Sequence, residues 1–130
     1  MEFVAIIAAA VAAYAFGAFW YMTLSQQWLK ASGLTNEEVR GAGKQDPTPF
    51  IISGLMMIVV AGMMRHMFGM AGIEGAGSGA LSGFGLGAFI AAPWIVTNYA
   101  YGMRAKMLTV IDGGYAIIGC TIMGLVLGLF

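Results

Sequence analysis

The chain has 130 residues, of which 60% are hydrophobic and only 9% are charged, and its mean hydropathy is +0.85. Soluble globular domains carry about 25% charged residues, so the composition excludes an ordinary water-soluble domain. Six basic and six acidic residues leave a formal net charge of zero, which argues against nucleic acid as a partner. The composition indicates an integral membrane protein.

Four apolar segments are long enough to cross a bilayer, which takes about 20 helical residues. They cover about residues 3–24, 48–67, 77–99 and 109–130. Because these spans leave no room for a separate soluble domain, we predict a single all-α transmembrane domain, a bundle of four helices. Pro93 in the third segment predicts a kink near the end of that helix.

The connections between the segments carry most of the charge. In the first connection Thr35 and Glu38 match a capping box, which predicts a short surface helix. The first and third connections hold five of the six basic residues, and positive loops favour the cytoplasmic side. We therefore predict a bacterial inner (plasma) membrane protein with loops 25–47 and 100–108 in the cytoplasm and both termini outside.

The third segment is built around a glycine ladder, defined as Gly75, Gly79, Gly83 and Gly87. Residues four apart share one face of a helix, and Ala91 continues this face. Small residues let the backbones of membrane helices approach closely. We predict that the ladder is a helix-packing surface.

Similar rows of small residues occur in two other segments. The first segment has Ala5, Ala9, Ala13 and Gly17, and the fourth has Ala116, Cys120, Gly124 and Gly128. Gly77 and Gly85 lie off the ladder, on another face of the third helix. This surplus of glycine predicts a second contact, between protomers.

Residues that carry chemistry are few. No segment has an ionisable residue at its centre, which is the usual mark of a transport or proton-relay site. The lone Cys120 matches no zinc pattern and allows no internal disulfide, and no serine has a histidine–acid pair in position to activate it. We therefore predict no enzymatic activity, no cofactor and no metal site.

Aromatic and polar residues collect at the predicted cytoplasmic ends of the helices. Asp112 stands where the fourth segment begins, and there we expect its carboxylate to cap free backbone N–H groups, with Arg104 and Lys106 as ion-pair partners. The aromatic residues are typical of an interfacial belt; alternatively, some of them wall a shallow binding site. This candidate binding rim comprises Trp20, Tyr21, Trp94, Asn98, Tyr101, Asp112 and Tyr115.

Several short motifs resemble those of a known family. Their residues are Gly17, Trp20, Tyr21, Trp28, Lys30, Gly33, the run Asp112-Gly113-Gly114-Tyr115, Gly119, Gly124 and Gly128. The pattern resembles domain-of-unknown-function family 1761, small bacterial membrane proteins with four predicted helices, over nearly the whole chain. The resemblance implies the architecture and no particular activity.

Three functions remain open at this point. The first is a non-enzymatic membrane protein that self-associates, or serves as an accessory subunit of a membrane complex, through glycine-rich helix faces. The second is a small channel or carrier with a pathway between protomers. The third is a lipid- or pigment-binding subunit that uses the rim. Membrane lipid is an expected partner in each.

Overall fold

The computed structural model describes residues 2–34 and 47–130; the capping box predicted at residues 35–38 lies outside them. The helices of the described part are α1 (Glu2–Thr23), α2 (Ser25–Ser32), α3 (Thr48–Ala71), α4 (Ala76–Tyr101) and α5 (Lys106–Leu129). By length and composition, α1, α3, α4 and α5 can each cross a membrane. The prediction of an all-α fold with four such helices is confirmed.

The helices differ from the predicted segments mainly at their ends. α3 continues to Ala71 rather than to 67, and α5 begins at Lys106 rather than at 109. The short helix α2 occupies part of the region that the sequence indicates as a connection. It ends at Gly33, whose φ of 75° is the left-handed conformation that glycine adopts without a steric penalty.

The four long helices pack in the spatial order α3, α1, α5, α4. The alanine face of α1 forms one wall of the core, and side chains of α3 and α5 fill it. The buried residues of this core are Ala5, Ala9, Ala10, Ala13, Ala61, Met64, Phe68, Met123 and Leu127. Because α3 and α4 stand at the two ends of the order, each keeps one long face open.

A π-helical turn at Gly87–Ala91 divides α4 into two α-helical parts, Ala76–Leu86 and Ala92–Tyr101. In this turn the N–H of Ala92 donates to the carbonyl of Gly87, five residues back rather than four. Pro93 follows directly, and in a regular helix its ring would clash with the carbonyl four residues earlier. The wider turn accommodates the proline and inserts one extra residue. The second part of α4 is therefore rotated by about 100°, the step of one residue at 3.6 per turn.

Candidate functional site

The glycine ladder of α4 packs within the chain, against the small-residue row of α5. A Cβ atom added at Gly83 would overlap the carbonyl oxygen of Cys120, and one added at Gly79 would overlap that of Gly124. A Cβ added at Gly124 would in turn overlap the carbonyl oxygen of Gly79. The two backbones are therefore in direct contact, and neither helix has room for a side chain here.

The same contact continues toward both ends of the ladder. Gly128 of α5 lies against the backbone of Gly75, and a Cβ atom added at Gly87 would lie 2.7 Å from the Cα of Ile117. We call this continuous contact between α4 and α5 the glycine seam. It holds all four glycines of the ladder inside one protomer.

The glycines off the ladder have a different environment. A Cβ atom added at Gly77 or Gly85 would meet nothing within 4 Å. The same is true of Gly62 and Gly69 on α3. Packing within the chain therefore does not require glycine at these positions.

The small-residue row of α1 faces the core and the side chain of Tyr115. Ala9 and Ala13 are fully buried. A Cβ atom added at Gly17 would lie 2.7 Å from the hydroxyl oxygen of Tyr115. Gly17 therefore makes room for an aromatic ring, whereas the ladder makes room for a backbone.

Three helices meet at Asp112. The hydroxyl of Tyr21 on α1 donates to Oδ1 and the hydroxyl of Tyr99 on α4 donates to Oδ2, both at 2.5 Å. Each oxygen of the α5 carboxylate thus accepts a hydrogen bond from a different neighbouring helix. Hydrogen bonds to an ionised acceptor are shorter and stronger than neutral ones, so this arrangement ties α1, α4 and α5 together.

The predicted capping role of Asp112 is wrong. α5 begins at Lys106 with Ala105 as its N-cap and no side-chain cap, so Asp112 lies about 9 Å further along the helix. Arg104 and Lys106 are exposed and do not form an ion pair with it; the salt bridge found in the described part of the chain joins Arg65 to Glu2 at 3.2 Å.

Trp20 packs beside Asp112 from α1. Its indole N–H donates to the carbonyl of Ile111 at 2.9 Å. A Cβ atom added at Gly114 would lie 3.1 Å from the Trp20 ring, so the Asp112-Gly113-Gly114 run leaves space for this side chain. The tryptophan is thereby fixed against the backbone of α5.

Tyr115 connects the same region to the core. Its hydroxyl donates to the carbonyl of Ala13 at 3.1 Å. Its ring meets that of Tyr21 edge-on, with centroids 5.5 Å apart, and stacks on Phe16 at 6.3 Å. We call Trp20, Tyr21, Tyr99, Asp112 and Tyr115 the Asp112 cluster.

The structure brings four of the seven predicted rim residues together and leaves three outside. Trp94 and Tyr101 are 66% and 88% exposed, and Asn98 is exposed too. All three lie in the second part of α4. Tyr99, which the predicted rim does not contain, occupies the position next to Asp112.

The inserted residue of the π-helical turn explains this difference. In an unbroken α-helix, residues 87, 91, 94, 98 and 101 share one face, and the predicted rim follows that face. In the structure Ala92 is buried, at 8% exposure, while Ile95 and Tyr99 are half-buried. Ala91 is expected from the sequence to continue the ladder, but Ala92 is the buried residue at that point of the helix face. Pro93 indicates a disturbed helix, but a proline alone does not reveal an inserted residue.

A shallow groove elsewhere is almost wholly apolar. It has a volume of about 170 Å³ and lies between α1 and α3, lined by Ile7, Ala10, Val11, Tyr14, Gly54 and Ile58. The Tyr14 hydroxyl there donates to the carbonyl of Phe50 at 3.3 Å. Within residues 2–34 and 47–130, no three His, Cys, Asp or Glu side chains are grouped to hold a metal ion.

Comparison with known families gives one match. The family model described as "Protein of unknown function (DUF1761)" matches residues 4–128. No curated protein and no solved structure matches the chain.

Proposed function

We infer the role of this chain, which belongs to the DUF1761 family of proteins of unknown function, from its own geometry. We propose a non-enzymatic membrane protein that pairs with a second copy of itself through the outer face of α4. This outer face comprises Gly77, Leu81, Gly85 and Ala88, on the side of the helix opposite the ladder. The observation that carries the proposal is the open space at Gly77 and Gly85.

Glycine in the interior of a helix costs about 1 kcal/mol relative to alanine. Gly79, Gly83 and Gly87 are explained by the backbone of α5, which leaves no room for a Cβ atom, and Gly75 by its φ of 89°. A Cβ atom added at Gly77 or Gly85 would meet no other part of the protomer within 4 Å, so that explanation does not extend to them. Close approach of another membrane helix supplies the missing reason.

A second copy of the chain is the partner that fits this face best. The face is narrow, with small residues on either side of Leu81, which is 73% exposed. Two such faces placed across a two-fold axis set each leucine beside the glycines of the other, an isologous contact. The same face gives little support to a channel between protomers, because its side chains are all apolar.

The Asp112 cluster supports the non-enzymatic part of the proposal. Both carboxylate oxygens accept tyrosine hydroxyls from neighbouring helices, which is the arrangement of a tie between helices. An accessory role in a larger complex would use the same outer face with a different partner, and the test distinguishes the two.

Replacing Gly85 with leucine should reduce the oligomer to monomer without destabilising the fold of the protomer itself. The leucine would project from the outer face and separate the paired helices, while open space surrounds it within the protomer. The mass of the purified protein in mild detergent or in native lipid, measured by native mass spectrometry, reports the result.

Gly62→Leu on α3 is the matched control, because Gly62 is equally open but lies outside the outer face of α4. It should keep the wild-type oligomer. A wild-type oligomer in Gly85→Leu, or a purified wild-type protein that is monomeric, would contradict self-association. Recovery of a stable complex with a different protein, lost in Gly85→Leu, would instead indicate an accessory subunit.

The orientation of the protein is a second part of the proposal, with the turn between α4 and α5 in the cytoplasm. Arg104 lies on this turn and Glu74 lies at the opposite end of the helices, and both are exposed. In a Cys120→Ser background, a membrane-impermeant maleimide added to intact cells should label Glu74→Cys and spare Arg104→Cys. The reverse pattern would invert the proposed orientation.

A further inference from the structure

We propose that the π-helical turn of α4 is a register switch, which the hydrogen bond from Tyr99 to Asp112 holds in the observed state. Through this switch the segment Ala92–Tyr101 presents one of two rows of residues to α5. The switch does not rest on the proposed pairing, because Gly77, Leu81 and Gly85 of the outer face precede the turn and only Ala88 lies within it.

The observed row runs through Ala92, Ile95 and Tyr99. Ala92 is buried and the other two are half-buried. Tyr99, the last residue of the row, donates a hydrogen bond from its hydroxyl to Asp112. This state contains the extra residue, with the Ala92 N–H bonded to the Gly87 carbonyl.

The second row is obtained by closing the π-helical turn to a regular α-turn. The segment then rotates by about 100°. As a result, each residue that faced α5 is replaced in that position by the residue immediately before it in the sequence. Ala91 then faces α5 in the position of Ala92, Trp94 in that of Ile95 and Asn98 in that of Tyr99. The exchange keeps an alanine at the first place, a large apolar side chain at the second and a hydrogen-bond donor at the third. The sequence is therefore compatible with packing against α5 in either register.

The motion is confined to one part of the helix. Before the turn, the glycine seam fixes α4 to the backbone of α5, so that part cannot rotate. After the turn, Ala92 is the one buried residue of α4, whereas Trp94 and Val96 are more than half exposed. Little packing therefore opposes rotation of the second part.

Two groups favour the observed register. Tyr99 does so through its hydrogen bond, and Pro93 does so because its ring clashes with a carbonyl in a closed α-turn. Rotation would bury Trp94 and expose Tyr99, changing the surface at this end of α4. A partner that binds exposed Trp94 or Asn98 would select the observed state.

Removing both restraints should shift the population to the second register. The variant Pro93→Ala/Tyr99→Phe is made in a Cys120→Ser background, with spin labels at Val96→Cys and Phe50→Cys. Both labelled positions are more than half exposed, and Val96 stays outside the contact with α5 in either register. Pulsed electron paramagnetic resonance in lipid should show a new mean distance, displaced by up to about 8 Å, the chord that a side chain sweeps at the helix surface. An unchanged distance distribution, or broadening without a new peak, would overturn the proposal.

A deletion provides the matched control. Removing Ala91 from the same variant takes out the spare residue, so a regular helix then keeps Ile95 facing α5. The spin-label distance should stay at the value of the labelled protein that retains Pro93, Tyr99 and Ala91. If the deletion variant shows the same displaced peak, the motion does not depend on the inserted residue and the register switch is wrong.

Discussion

Replacing Gly83 with leucine is expected to lower the free energy of unfolding by about 4 kcal/mol, a large effect for a single substitution. Even a Cβ atom at this position would overlap the carbonyl oxygen of Cys120. No rotation of the new side chain relieves that overlap, so the backbones of α4 and α5 must separate. Separation weakens the contacts at Gly79 and Gly124 as well, because the glycine seam is continuous.

Gly83→Ala makes the prediction sharper. Alanine favours a helix over glycine by about 1 kcal/mol, so a helix without a close neighbour would gain stability. For Gly83→Ala we expect a loss of stability, because the methyl group would overlap the carbonyl oxygen of Cys120. Unfolding in a denaturing detergent, followed by circular dichroism, gives the free energies.

Gly85→Leu is the control for the seam, because it adds the same side chain two residues away into open space. Its unfolding free energy, compared with wild type as monomers, should stay unchanged or rise by up to about 1 kcal/mol, because leucine favours a helix over glycine. Equal stabilities for Gly83→Leu and Gly85→Leu would show that α4 and α5 are not in backbone contact.

The four long helices are predictable from the sequence because each requires only an apolar run of sufficient length. The face of α4 that packs is also visible, since the ladder repeats at the helical spacing of four. Its partner is not visible. Both α1 and α5 carry rows of small residues, and only the fold reveals that α5 receives the ladder while Gly17 of α1 receives the ring of Tyr115.

The Asp112 cluster is predictable only in part, for two physical reasons. The beginning of the fourth predicted segment at 109 makes Asp112 look terminal, but α5 starts three residues earlier, at Lys106, so Asp112 lies in its second turn. The extra residue of the π-helical turn then moves every later position of α4 by one. Tyr21 and Tyr115 needed no such correction, since α1 and α5 are regular where these residues lie.

Replacing Tyr21 with phenylalanine is expected to lower the free energy of unfolding by about 2 kcal/mol, the range for hydrogen bonds to a charged group. The substitution removes one hydroxyl and keeps the ring, so packing against Tyr115 is retained. Asp112→Ala should cost more, about 3 kcal/mol, because it leaves the hydroxyls of both Tyr21 and Tyr99 without their acceptor. The same detergent unfolding measurement applies to both variants.

Tyr115→Phe is the matched control, since its hydroxyl donates to the neutral carbonyl of Ala13. A neutral hydrogen bond contributes about 1 kcal/mol, so this variant should be less destabilised than Tyr21→Phe. A double-mutant cycle of Tyr21→Phe with Asp112→Ala, which removes the acceptor, isolates the energy of the pair from other effects of each substitution.

Whether Tyr21→Phe lowers or raises the free energy of unfolding distinguishes a structural role of the Asp112 cluster from a ligand-binding role. A tie between helices contributes stability, so its loss must be destabilising and the coupling energy must favour the pair. Residues arranged for a ligand instead tend to reduce stability, and replacing them tends to raise it. A more stable Tyr21→Phe protein would therefore contradict the tie and identify Asp112 as a binding group whose partner is absent from the isolated chain.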